Sequence, residues 1–135
     1  MPASVQIMAL FVAFIAGLFL LGLGVMALAR PSRARSFLLR FAQSARAHYA
    51  EMAGRILVGA ALVVASSRMP LSPFIAGLGA ALVASSVLLL CRPWTWHRSF
   101  GERVLPRFVQ HLGVVGLFSV ALGGVLIAAT IVGAA

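Results

Sequence analysis

The sequence predicts an all-α membrane protein with four transmembrane helices. Three observations point there. Hydrophobic residues make up 62% of the 135 positions and charged residues 10%, against about 45–50% and about 25% in an ordinary soluble domain. Long apolar runs recur along the chain. The arginines gather in two segments and leave the rest nearly uncharged.

A helix that crosses the hydrocarbon layer needs about 20 apolar residues. Ile7–Ala29, Leu71–Cys91 and Leu112–Ala135 each meet this without a charged residue. A further run, Ile56–Ser67, is short and lies between Arg55 and Arg68. It becomes a full span if the helix reaches back to Tyr49 and takes Glu51 and Arg55 with it. The rival is a re-entrant or interfacial segment. The first run is read as a retained span rather than a cleaved leader. No basic residue precedes it, and Arg30, Arg33 and Arg35 after it act as a stop to translocation. Ala27-Leu28-Ala29 nevertheless mimics a cleavage site.

Arginine positions set the expected threading. Ten of the eleven lie at 30, 33, 35, 40, 46 and 55, then at 92, 98, 103 and 107. Cytoplasmic loops collect basic residues, so both segments are expected on the cytoplasmic side of a bacterial inner membrane. Both termini and the loop around Arg68 are then expected on the other side. An even number of spans satisfies this.

The chain also repeats itself. Phe14-Ile15-Ala16-Gly17-Leu18 recurs as Phe74-Ile75-Ala76-Gly77-Leu78, Arg30-Pro31 as Arg92-Pro93, and Arg35-Ser36-Phe37 as Arg98-Ser99-Phe100. Arg40 pairs with Arg103 and His48 with His111. One membrane domain, 1–135, is expected to comprise two parallel two-helix repeats, 7–67 and 69–135. Two spans per copy make the repeats parallel, unlike the inverted repeats of many carriers. Small residues four apart, such as Ala13 and Gly17, Ala76, Ala80 and Ala84, or Gly124 and Ala128, allow close helix approach in lipid. Packing inside a four-helix bundle is the plainer use of them, and contact with another protein the sharper one.

Pro31 and Pro93 end the preceding spans. After Pro31, residues Phe37, Leu38, Phe41, Ala42, Ala45 and Tyr49 share one helical face, with Arg40, Gln43 and Arg46 opposite. This predicts an amphipathic interfacial helix in the first cytoplasmic loop. Arg33, Arg35, Arg40, Arg46, Arg98, Arg103 and Arg107 are the expected contacts of anionic lipid headgroups. Tyr49, Trp94 and Trp96 are the expected interfacial belt. Topology and lipid account for the net charge of +9, so nucleic acid is not an expected partner.

Little in the sequence suits catalysis. There is no Lys, Asp or Asn, which excludes a Lys-bearing phosphate loop and a Ser-His-Asp triad. An enzyme would have to draw on Glu51, Glu102 and three His. His48 and His111 have a functional reading as ligands of a haem or chlorophyll-type pigment at a complex interface. The plainer reading is interfacial histidines bonded to lipid or backbone. No resident cofactor or metal is expected. Cys91 is unpaired and is read as a buried, inert thiol. Glu51 and Arg55 stand four apart, acid first, and form the expected ion pair.

Each copy has a small-residue first span, a proline with basic residues at the turn and a Gly-containing second span. Pro93, Trp94 and Arg98 mark the second turn, and Pro31 and Arg35 the first, which has no Trp. In this the chain resembles a tandem fusion of YjeT-like two-span bacterial inner-membrane proteins. The resemblance implies an architecture and not an activity. The functional expectation is a non-catalytic accessory or scaffold subunit of a larger energy-converting or quality-control complex. The alternative is a small transporter or channel acting as an oligomer.

Overall fold

In a computed structural model the described elements of the chain are all helical. The structure describes residues 2–41, 44–92, 99, 102–104, 107 and 110–135. Helix α1 spans Ala3–Ala29, α2 Pro31–Phe41, α3 Ala45–Ala65, α4 Ser72–Leu90 and α5 Leu112–Ala134. A single 3-10 turn, Ser66–Arg68, follows α3. Four helices, α1, α3 with its 3-10 turn, α4 and α5, are long and apolar enough to cross a membrane. The α3 stretch has the lowest mean hydropathy of the four, as its Glu51 and Arg55 require.

The breaks have local causes. Arg30 leaves the helical region at φ −139°, and its N–H still reaches the Met26 carbonyl at 2.7 Å. Pro31 then opens α2, where its missing N–H costs nothing. The expected continuous helix from Pro31 through Tyr49 is not found. α2 ends at Phe41, and Ser44 starts a new helix by accepting the Ala47 N–H on its hydroxyl at 3.1 Å. Serine at this position satisfies a donor that the first helical turn leaves over. As a result Tyr49 belongs to α3. At the far end of α3, Leu71 takes the left-handed conformation, φ 60°, and its carbonyl accepts the Ile75 N–H at 3.0 Å to begin α4.

Packing places the long helices in the spatial order α5, α1, α3, α4. α1 and α5 share the most extensive contact, α3 and α4 the next, and α1 joins the two pairs through α3. The helices do not close into a ring: among the described residues α4 barely touches α5. A core of Leu10, Ala13, Leu62, Ala65, Ile75 and Leu126 ties all four together at one end.

Glycines set the two main seams. The Gly17 and Gly24 backbones of α1 meet Gly123 and Gly116 of α5 so closely that an added Cβ would fall within 2.7–3.3 Å of backbone atoms across the seam. Gly59 and Gly79 do the same between α3 and α4. In lipid, where apolar side chains gain nothing by leaving the solvent, such approach is a main source of helix association. Ser119 adds a hydrogen bond across the first seam, donating to the Leu20 carbonyl at 2.6 Å.

Candidate functional site

The ionisable side chains of the four long helices fall on α3. His48, Glu51, Met52 and Arg55 follow at three- and four-residue spacing, so they occupy one face of the helix. His48 is 1% exposed and Met52 is fully buried. Arg55 Nη1 lies 3.6 Å from Glu51 Oε1, with both side chains about one-quarter exposed. The second guanidinium nitrogen, Nη2, donates to Ser85 Oγ on α4 at 2.8 Å. Ser85 in turn donates to the Leu82 carbonyl at 3.1 Å. The Ser85 hydroxyl therefore accepts from Arg55 while donating to its own helix. Together Glu51, Arg55 and Ser85 form a polar cluster that spans the α3–α4 seam.

Local sequence gives no signal for Ser85, a serine 30 positions from Arg55. Nor does it mark Gly59, in the span where no small-residue track stands out, or Gly79, which falls off the Ala76, Ala80 and Ala84 track. Only their position across from each other in space marks them.

The two histidines fall in different surroundings. His48 is buried, with its ring centroid 5.2 Å from that of Tyr49, and does not face lipid. His111 is exposed at the start of α5. Among the described residues no group of three or more His, Cys, Asp or Glu side chains is arranged to hold a metal. Cys91 corrects an expectation: it is exposed, not buried. It lies just past the end of α4, which among the described residues is the edge helix of the row.

The arginines of the first segment gather on and around α2. Arg33, Arg35 and Arg40 are exposed on this helix, and Arg46 is exposed in the first turn of α3. α2 leans back along α1: the rings of Phe37 and Phe19 lie 6.1 Å apart, and Ala34 is buried against Ala27 and Leu112. Arg103 and Arg107 are exposed. Arg98, Trp94 and Trp96 lie outside the described residues. Tyr49 is half-exposed.

Comparison with protein-family models, curated proteins and solved structures gives no match for this chain.

Proposed function

We propose that the chain is a non-catalytic accessory or scaffold subunit of a larger bacterial inner-membrane complex. The observation that carries this reading is the outward face of α4. This edge helix is the least buried of the four. Pro73, Gly77, Ala80, Ala81 and Ala84 are exposed along it, with open space over Gly77. Gly17, Gly24, Gly59, Gly79, Gly116 and Gly123 are consumed by helix seams, whereas Gly22, Gly54, Gly113 and Gly124 stand open singly on the other helices. Along this face of α4 the small residues remain uncovered, and their spacing suits the close approach of another transmembrane helix.

In this reading the two arginine segments face the cytoplasm, both termini face away from it, and the chain is a tandem of two-span units like the YjeT-like proteins. Arg33, Arg35, Arg40, Arg46, Arg98, Arg103 and Arg107 meet anionic headgroups, with Tyr49, Trp94 and Trp96 at the same level. His48 and His111 hold no pigment in this reading, since one is buried within the fold and the other lies on its surface.

A photocrosslinker placed at Ala84 in the native membrane tests it. A discrete heteromeric product that is lost in Gly77→Leu, at unchanged levels of folded protein, supports an accessory role. The alternative, a small oligomeric transporter or channel, draws on the Glu51–Arg55–Ser85 cluster, since polar groups within spans often mark ion pathways. Robust substrate flux in liposomes holding only this protein would establish that alternative and overturn the accessory role.

A further inference from the structure

The two halves of the chain are packed differently. α1 lies against α3, whereas α4 and α5 stand apart. The gap is an open groove of about 870 Å³. Leu20 and Leu23 of α1 form its floor, Phe74 and Leu78 of α4 and Leu122 of α5 its sides, and Leu38 of α2 its end. Among the described residues Ser119 brings the only polar side chain to the lining, and its hydroxyl is already bonded to the Leu20 carbonyl.

Two features define an occupant. The first is the lining. Gly24 and Gly116 reach the groove but are spent on each other in the α1–α5 seam. What remains is mostly Leu, Phe and Val, bulky and uneven, with no small-residue track for a second helix backbone. A flexible hydrocarbon chain suits such a surface. The second is charge. Ala34 and Leu38 close the groove on α2, and Arg30, Arg33 and Arg35 are exposed around them. No acidic residue precedes Glu51 in the chain. On the other flank of α2, Arg33 and Arg40 frame a depression of about 380 Å³ beside Ser32 and Ser36. The groove is therefore apolar along its length and strongly positive at the α2 end.

We propose that this groove is a binding site for one anionic diacyl phospholipid of the bilayer. An acyl chain lies between α4 and α5, and the phosphate rests on the guanidinium groups around the α1–α2 bend. The inference rests on the membrane reading of the four helices and not on the accessory role.

The full chain, reconstituted in nanodiscs of equimolar phosphatidylglycerol and phosphatidylcholine with matched acyl chains, provides the test. Native mass spectrometry after extraction is expected to show one retained phosphatidylglycerol, favoured over phosphatidylcholine by about fivefold or more. Ala121→Trp adds bulk at an exposed groove position and is expected to lower retention several-fold. Arg33→Gln with Arg35→Gln is expected to reduce the headgroup preference while a lipid is still retained. Ala84→Trp, on the outward face of α4, is expected to leave retention unchanged, which separates this site from the accessory reading.

Retention unaffected by Ala121→Trp, or lowered equally by Ala84→Trp, overturns the site. So does a dimer that Ala121→Trp abolishes, because a second copy would then fill the groove. If Ala121→Trp does not fold, a phosphatidylglycerol with a mid-chain diazirine decides on the unaltered protein. Crosslinks concentrated at Phe118–Val125 of α5 support the site, and crosslinks spread evenly over all lipid-facing helices overturn it.

Discussion

Arg55 and Ser85 are joined by a 2.8 Å hydrogen bond across the α3–α4 seam, and the same guanidinium lies 3.6 Å from Glu51. A charge near the hydrocarbon is thus held by one partner on its own helix and one on the next. Ser85→Ala is expected to cost about 1 kcal/mol, less than the usual range for a hydrogen bond to a charged group because Arg55 keeps some exposure. Glu51→Gln removes the counter-charge and is expected to cost more. Glu51→Gln combined with Arg55→Leu is expected to be milder than Glu51→Gln alone, since no charge is left stranded. Thermal unfolding in one detergent ranks the three. A double variant less stable than Glu51→Gln would show that Arg55 serves something other than this pairing.

The α1–α5 seam makes two adjacent glycines behave oppositely. A Cβ on Gly123 would meet the Leu21 nitrogen at 2.7 Å and the Gly17 carbonyl at 2.8 Å, both backbone atoms that cannot step aside alone. Gly123→Ala is expected to push the helices apart and lower the unfolding temperature. Gly124 has nothing within 4 Å, so Gly124→Ala is expected to be neutral or to stabilise by up to about 1 kcal/mol through helix propensity. Equal effects of the two changes would mean that this seam is not the one used in the membrane.

Leu71 is a non-glycine residue with positive φ. That conformation costs an L-residue about 1–2 kcal/mol, which glycine does not pay. Leu71→Gly is therefore expected to raise the unfolding temperature in detergent. Leu71 also lines the α4–α5 groove, so the same change is expected to lower lipid retention. A variant that loses stability would place the left-handed turn elsewhere.

Sidedness can be read by labelling. In a Cys91→Ala background, a cysteine replacing Ser44 is expected to resist an impermeant maleimide in intact cells, and one replacing Ser67 is expected to react. The exposed Cys91 has to be removed first because it would label in opened membranes. Reversal of the two results would invert the threading expected from the arginines.

What the sequence reveals here depends on how local the cause is. α1, α4 and α5 are legible as uninterrupted apolar runs, and the ends at Arg30 and Leu112 follow from proline and charge. The break between α2 and α3 was hidden because Phe41, Ala45 and Tyr49 keep four-residue spacing across it. Periodicity is blind to a cap, and Ser44 was the available signal. Which helices adjoin depends on glycines 106 positions apart, such as Gly17 and Gly123, and no local pattern reports it. The exposure of Cys91 is equally non-local: it depends on the place of α4 at the edge of the described helices. The Glu51–Arg55 spacing was legible within one helix, while Ser85 became its neighbour only through the α3–α4 seam.

The seam between α1 and α5 has a consequence for biosynthesis. α1 leaves the ribosome first among these helices and α5 last, yet they form the largest contact in the molecule. α3 and α4 can pair while synthesis continues, since they are near neighbours in the chain. α1 must wait, with Gly17 and Gly24 bare to lipid, until residues 112–134 have been inserted. A chain halted after α4 would hold three apolar helices in the bilayer and still lack its main contact. The α1–α5 seam is therefore the last of the main contacts that the described helices can make.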